Sequence, residues 1–281
     1  MGWGINVTEI RSKDREFGEV DMNRLALCVE YDGSAFHGWQ VQKDTKTVQG
    51  VLEKALGKVA DESIRVVTAG RTDTGVHATG QVAHFQTTCL RSSDAWLRGT
   101  NTCLDRSVAV LWVKQVPDSF HARFSALSRA YRYVVLNRKA RPTFLKSRVT
   151  WDHRPLDIDR MRAASSFLLG RHDFNAYRAA ACQAKQSVRL INLLNIFRQG
   201  DWIWIDIDAD GFLHHMVRNI VGVLSAIGAG EAESEWAKTV LDSRDRKLGG
   251  VTAPPDGLYF RQVTYPVEFD LPPSPPACRF W

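Results

Sequence analysis

An alternation of strand-like and helix-like segments in residues 24–116 is the feature that most constrains the fold. Apolar residues recur at every second position in 25–31, which is typical of a half-buried strand, and the run stops at a turn-forming Asp-Gly pair. Segment 46–60 instead carries its apolar residues at helical spacing behind Thr47, a residue type that caps helix N-termini. The chain therefore begins its core with a strand followed by a helix.

The same reading predicts strands over 63–67, 81–87 and 108–116 and a helix over 94–104. This order of strand, helix, strand, strand, helix, strand is that of a ferredoxin-like unit. A second and less regular cycle follows, with predicted strands at 128–136, 201–210 and 257–266 and predicted helices at 157–170, 214–230 and 234–244. We therefore expect an α+β chain built from two similar halves that form one catalytic unit.

The domain prediction has four parts. Residues 1–23 are charge-rich without a sustained period and are predicted to be a leader, and the Pro-rich residues 270–281 are predicted to be a tail outside the core. Between them we expect an N-terminal half at 24–138 and a C-terminal half at 139–269.

Composition narrows the class of protein. The net charge of +6 and the pI near 9.1 are compatible with a polyanionic partner but do not demand one. The 5 cysteines are scattered without a CxxC pair, so the spacing favours neither a disulfide framework nor a zinc site. No apolar run approaches the ~20 residues that span a bilayer. We expect a cytoplasmic protein that does not enter a membrane.

The stretch AGRTDTGVHATGQ, residues 69–81, is the first candidate for chemistry. It lacks the Lys and Ser/Thr that complete a phosphate-binding P-loop. It places Arg71, Asp73 and His77 together in a glycine-flanked turn at the end of a predicted strand. A turn aspartate commonly accepts only backbone hydrogen bonds. The alternative is a nucleophile or base, provided that a positive group keeps the carboxylate ionised.

Two further stretches carry unusual side chains. In the strand at 128–136, Tyr131 and Tyr133 share one face with Arg129, and Arg132 lies on the other. Aromatic packing in a sheet explains this pattern, and so does a platform on which a base stacks, flanked by arginines that bind phosphates.

The predicted helix at 214–230 contains a charge on an apolar background, Arg218. A buried arginine needs a counter-charge, which predicts a carboxylate partner unless the side chain reaches solvent. His214 and His215 raise the question of a metal. Adjacent histidines on a helix point about 100° apart, so we predict that they bind no ion.

Taken together, these stretches resemble the TruA family of tRNA pseudouridine synthases. AGRTDTGVHA matches the GRTDxGVHA signature, and AYRYVV, HDFNAYRAAACQ, GFLHHMVRNIVG and APPDGLYFRQVTYP match later blocks in the right order. The opening block YxGxxFxGxQxQ is matched at Tyr31, Gly33, Phe36, Gly38, Gln40 and Gln42. The resemblance extends from about residue 24 to residue 269.

The resemblance implies a role for each of these residues. Asp73 is implied to be the catalytic aspartate and Arg218 its ion-pair partner. Tyr131 is implied to stack on the flipped uracil, and Arg71 to help extrude the target nucleotide. Gly257 and Leu258 are implied to lie beneath the uracil. The implied fold is that of the pseudouridine synthases, with two ferredoxin-like halves that form a largely antiparallel mixed sheet, flanked by helices, around a central basic cleft.

The resemblance also implies the reaction and its partners. Uridines 38 to 40 of the tRNA anticodon stem-loop are isomerised to pseudouridine without a cofactor or metal, and the working form is a homodimer. Three other classes stay open at this point. They are a non-catalytic RNA-binding module, a metal-dependent hydrolase, and a related synthase that acts on another RNA.

Overall fold

The computed structural model describes Met1 and residues 22–275. The predicted leader therefore lies almost wholly outside the described residues. Within them the chain forms ten strands, namely β1 (Asn23–Tyr31), β2 (Val67–Thr68), β3 (His77–Thr87), β4 (Val108–Gln115), β5 (Ser128–Asn137), β6 (Thr150–Asp152), β7 (Gly170–Asp173), β8 (Val188–Gln199), β9 (Trp202–Ala209) and β10 (Leu258–Thr264). The helices are α1 (Val48–Ala60), α2 (Ser93–Cys103), α3 (Ile158–Ser166), α4 (Met216–Gly228) and α5 (Trp236–Ser243).

All ten strands belong to one sheet, in which the main order is β4-β1-β3-β10-β5-β9-β8-β7. β2 also pairs with β3, which gives the first half the order β4-β1-β3-β2 of a ferredoxin-like unit. The order β10-β5-β9-β8 repeats this arrangement in the second half. Most pairings are antiparallel, and β3 with β10 and β5 with β6 are parallel. The predicted α+β fold of two ferredoxin-like halves with a mixed sheet is confirmed.

The two halves join where β10 pairs with β3 on one side and with β5 on the other. Tyr259 and Phe260 lie opposite His77 and Ala78 at the start of β3. β5 falls within the predicted N-terminal half but pairs with strands of the second. We therefore propose that the division falls in the segment 116–127, before β5, rather than at residue 138.

Helix α4 is the most deeply buried of the helices because its apolar residues face the core on nearly every turn. Its buried residues are Met216, Val217, Asn219, Ile220, Val221, Val223, Leu224, Ile227 and Gly228. The amphipathic α1 begins at the predicted cap, where the Thr47 hydroxyl accepts a hydrogen bond from Gly50 N. None of the helices in the described part of the chain has the length and apolar character needed to cross a membrane.

Several predicted elements have different limits in the structure. β2 is two residues long, although Ile64 and Val66 before it are buried in the core without joining the ladder. α4 begins at Met216, two residues later than predicted. β6, β7 and the 12-residue β8 were not predicted at all.

The beginning of the Pro-rich tail contradicts the prediction that the tail lies outside the core. Leu271 packs against the main core, and Pro272 to Ser274 lie beside Cys28 and Trp112. Asp270 accepts a salt bridge from Lys114 at 2.7 Å. The tail thus covers the face of the first half that the helices leave open, as far as residue 275.

Candidate active site

The loop between β2 and β3 carries Asp73 and is fixed by buried polar contacts. The hydroxyls of Tyr31 and Thr72 lie 2.7 Å apart, and Trp39 N donates to Thr72 O at 3.0 Å. Gln81, which is fully buried, donates to Gly70 O at 2.7 Å. Because buried bonds of this kind are costly to break, the loop presents Asp73 in one backbone conformation.

Gly38 explains part of the opening sequence block. Its φ is +81°, and a Cβ placed there would lie 2.7 Å from Thr72 O. Only glycine combines this left-handed conformation with so close an approach to another backbone. Residues of the block at 31–42 therefore pack against the Asp73 loop and support its backbone.

Three cationic or ionisable side chains surround the Asp73 carboxylate. His214 Nε2 lies 3.2 Å from Oδ1, and His215 Nε2 lies 3.4 Å from Oδ2. Arg218 Nη1 lies 3.4 Å from Oδ2. The Asp73 side chain keeps 24% of its surface exposed, so the carboxylate remains open to a ligand.

Arg218 meets the carboxylate that its apolar helix was predicted to require. Its side chain is 14% exposed and donates from Nε to Ala253 O at 2.8 Å, which leaves the Nη1 end directed at Asp73. A guanidinium so enclosed would be costly without a counter-charge. The pair joins a loop of the first half to a helix of the second.

A buried network behind Arg218 holds the backbone that positions it. Asn219 is 2% exposed and accepts from Thr252 Oγ1 at 2.7 Å and from Arg246 Nη2 at 3.1 Å. Ala253 N donates to Arg218 O at 3.1 Å, one residue beyond Thr252. The network thus fixes the segment whose carbonyl orients the Arg218 guanidinium. Sequence reasoning did not find it, because Asn219 of α4, Arg246 and Thr252 are separated along the chain and no local pattern links them.

The two histidines precede α4, so the argument that helical geometry keeps them apart is wrong. His215 is the N-cap residue with φ 61°, in the left-handed region, and the two rings lie 4.1 Å apart. With Asp73 they offer three ligand atoms within 4.8 Å of one another, a group that could hold a metal ion. The sequence could have shown that both histidines precede the helix, because its apolar helical period starts only at Met216.

Burial lowers the pKa of His215, and the neighbouring His214, Arg218 and Arg246 act in the same direction. The Asp73 carboxylate opposes this shift. Because the net direction is downward from 6.5, the His215 imidazole is neutral at pH 7. Arg218 is therefore the permanent positive charge beside Asp73.

Tyr131 lies on β5 with 8% of its surface exposed. Its ring packs edge-on against Phe212 and Phe260, with centroids 5.0 and 4.9 Å away. Burial raises the pKa of the Tyr131 phenol well above its usual value, and the charge of Asp73 contributes. The phenol is therefore protonated at neutral pH and able to donate a hydrogen bond.

The other residues implied by the family resemblance lie around this centre. Arg71, two positions before Asp73, is exposed. Leu258 begins β10, is 4% exposed and lies opposite Tyr133 of β5. Gly257 O accepts from Val134 N at 2.8 Å, and a Cβ at this glycine would lie 2.4 Å from Val134 O.

The two arginines of β5, Arg129 and Arg132, donate hydrogen bonds to protein groups in this structure. Arg132 donates from Nε and Nη2 to the two carboxylate oxygens of Asp206, both at 2.6 Å. Arg129 donates to Ala69 O and Asp210 O and so ties the start of the Asp73 loop to the second half. The reading of these residues as phosphate-binding arginines is wrong for Arg132, which is 5% exposed.

Comparison with known proteins agrees with the fold and with the family that the sequence resembles. A family model described as tRNA pseudouridine synthase matches residues 27–125 and 163–266. The chain is 57% identical over 249 residues to tRNA pseudouridine synthase A of Nitrosococcus oceani. That alignment covers 89% of this chain and 96% of the relative. It is 52% identical over 258 residues to the protein of that name from Pseudomonas aeruginosa, covering 92% and 90%. The Legionella pneumophila protein is 52% identical over 257 residues, covering 92% and 98%.

Fold and comparisons define an isomerase that acts on tRNA, with a partly exposed carboxylate at the junction of two ferredoxin-like halves. The chain belongs to the tRNA pseudouridine synthase family.

Proposed function

We propose that this chain isomerises uridine to pseudouridine at positions 38 to 40 of the tRNA anticodon stem-loop. The names of its relatives support tRNA as the substrate. The observation that carries the chemical part is the position of Asp73, whose partly exposed carboxylate lies 3.4 Å from the guanidinium of Arg218 at the junction of the two halves. The choice of the anticodon stem-loop and of positions 38 to 40 rests on the family resemblance.

The isomerisation balances without a co-reactant. The N1–C1′ bond breaks, the C5–C1′ bond forms, C5 loses a proton, and N1 gains one. Asp73 acts on the nucleotide as a nucleophile at C1′ or at C6, or as a base at C2′, and each role needs an ionised carboxylate. Arg218 favours that ionised form and restricts the orientation of the carboxylate.

The target base must leave its stack before Asp73 can reach it. Flipping costs a few kcal/mol, and stacking on an aromatic ring returns about 1–3 kcal/mol. We assign the stacking to Tyr131, the extrusion to the exposed Arg71, and the apolar floor of the base pocket to Leu258. The almost complete burial of Leu258 supports a fixed floor at that place.

The working form is proposed to be a cytoplasmic homodimer with the RNA in a basic cleft. The net charge of +6 supports a polyanionic partner. The dimer rests on the family resemblance. Sedimentation of the RNA-free protein tests it independently of catalysis.

Tritium release from tRNA that carries C5-tritiated uridine tests the proposal directly. The wild-type protein is expected to release tritium to water, and Asp73→Asn to bind tRNA and release none. Mapping the product by position tests the assignment to uridines 38 to 40. A non-catalytic RNA-binding module would bind without release, and a hydrolase would cleave the RNA; either result would refute the proposal.

A further inference from the structure

The side chains around Asp73 form an arrangement that the proposed isomerisation does not require. Two imidazole nitrogens, one from His214 and one from His215, approach the same carboxylate from the start of α4. Arg218 already supplies the positive charge that Asp73 needs. The pair of imidazoles therefore calls for an explanation of its own.

The three ligand groups are close enough to converge on one ion, since one ligand atom from each lies within 4.8 Å of the others. Zinc binds histidine nitrogen and carboxylate oxygen at about 2.0–2.2 Å, so neighbouring ligands of a tetrahedral ion lie about 3.4 Å apart. His214 Nε2 and His215 Nε2 lie 3.2 and 3.4 Å from the Asp73 oxygens. One ion among the three groups would need only small side-chain movements.

The chemistry of these groups selects the kind of ion. Imidazole nitrogens suit Zn²⁺, Co²⁺ and Ni²⁺, whereas Mg²⁺ and Ca²⁺ prefer oxygen ligands. The side chains of His214, His215 and Asp73 are 42%, 29% and 24% exposed, so an ion can reach them from solvent. Three protein ligands would leave the fourth position of a tetrahedral ion to water.

We propose that Asp73, His214 and His215 form a binding site for a divalent transition-metal ion, and that the bound ion inhibits the enzyme. The inhibitory part rests on the proposed function, because the ion would occupy the carboxylate that the isomerisation needs. The guanidinium of Arg218, 3.4 Å from Oδ2, repels the ion and limits its affinity.

Cobalt titration of the untagged, RNA-free protein tests the site without reference to catalysis. The wild-type protein is expected to bind one Co²⁺, seen as new visible absorption, and Zn²⁺ is expected to displace it. Excess Mg²⁺ should leave the spectrum unchanged. Absence of saturable one-to-one binding would overturn the proposal.

Variants identify the ligands. His214→Gln and His215→Gln are each expected to weaken Co²⁺ binding by about tenfold or more, because each removes one of three protein ligands. The matched control His153→Gln removes an exposed histidine and should bind like the wild type. Equal affinity in all three variants would show that the ion binds elsewhere and refute the assignment.

The Co²⁺ affinity of Arg218→Met distinguishes the proposed site from non-specific binding to surface histidines. Loss of the guanidinium removes the repulsion, so this variant should bind Co²⁺ more tightly than the wild type while losing isomerisation. Unchanged or weaker binding in a folded sample would contradict the geometry.

The inhibitory part is tested by adding Zn²⁺ to the tritium-release assay. Turnover should fall along the same concentration curve as Zn²⁺ binding, and EDTA should restore it. Full turnover with the site occupied would refute inhibition. A wild-type protein that binds Co²⁺ but never releases tritium would refute the proposed function and leave the metal site standing.

Discussion

Two arginine–aspartate pairs in this molecule differ in how completely the carboxylate is occupied. Arg132 meets Asp206 through two contacts of 2.6 Å, and their side chains are 6% and 14% exposed. Arg218 approaches Asp73 with one nitrogen at 3.4 Å, and Asp73 stays 24% exposed. Asp206 makes two short bonds to Arg132, lies 3.6 Å from a second arginine, Arg261, and contributes to the fold. Asp73 makes only contacts of 3.2–3.4 Å and is more exposed, so it stays more open to a substrate or an ion.

The two pairs also differ in how the fold brings them together. Arg132 and Asp206 lie directly opposite each other on β5 and β9, so the strand register sets their contact. Arg218 and Asp73 come from different halves and are 145 positions apart in sequence. The contact between Arg218 and Asp73 therefore depends on how the halves dock, whereas the contact between Arg132 and Asp206 depends only on the pairing of β5 with β9.

Breaking the pair of Arg218 and Asp73 is expected to have the largest effect on activity. Arg218→Met should lower the single-turnover rate of tritium release by about 10²- to 10³-fold, because Asp73 loses a preorganised charge. Arg218→Lys should rescue little, since lysine cannot contact Ala253 O and Asp73 at once. Thermal unfolding of the same samples controls for the fold. A folded Arg218→Met enzyme with the wild-type rate would remove the functional distinction between the pairs.

Breaking the pair of Arg132 and Asp206 should lower stability and leave the rate per folded molecule unchanged. Asp206→Asn leaves the Arg132 guanidinium buried without its full counter-charge, which should cost about 3 kcal/mol in the free energy of unfolding. Urea unfolding measures this loss. The rate per folded molecule should stay at the wild-type level. A stable but inactive Asp206→Asn protein would place Asp206 in the catalytic machinery and contradict the comparison.

Tyr131 tests whether β5 contributes to the site as well as to the fold. Tyr131→Ala should weaken binding of the flipped base by about 1–3 kcal/mol, seen as a higher KM or lower kcat in tritium release. Tyr131→Phe keeps the ring and should bind tRNA like the wild type. Tyr133→Phe, on the same strand face, is the matched control. Equal turnover in all three variants would show that Tyr131 only packs in the sheet and does not bind the base.

The network behind Arg218 should have the smallest effect. Thr252→Val removes the hydrogen bond donated to Asn219 and the one accepted from Arg246, a combined loss of about 2 kcal/mol in the free energy of unfolding. If the network positions Arg218, kcat should fall severalfold while KM stays constant, and Thr252→Ser should restore kcat. A change in unfolding alone, with kcat constant, would show that the network only stabilises the loop.

The regular parts of the fold were predictable because their apolar periods are unbroken. β1, β5, α1 and α2 lie within a residue or two of their predicted limits. β8 was missed because a bulge between Ile191 and Leu193 interrupts its alternation, so that its buried residues are Ile191, Leu194 and Ile196. A period-two search cannot find a strand whose period changes midway.

The candidate site was predictable in its charges but not in its full set of contacts. An arginine on an apolar helix requires a carboxylate, and the structure places Asp73 there. The histidines were misjudged because a helix was extended over them, and His215 instead adopts a left-handed cap. Such a cap depends on how the preceding turn packs, which no local period encodes.

One crossed measurement tests the central claim that two similar ion pairs have different tasks. Single-turnover tritium release and urea unfolding are measured in parallel on Asp73→Asn and Asp206→Asn. We predict that Asp73→Asn folds, releases no tritium and loses less stability than Asp206→Asn, because Arg218 is more exposed and more loosely paired than Arg132. Asp206→Asn loses more stability and keeps its rate per folded molecule. Tritium release by Asp73→Asn at the wild-type rate would contradict the account.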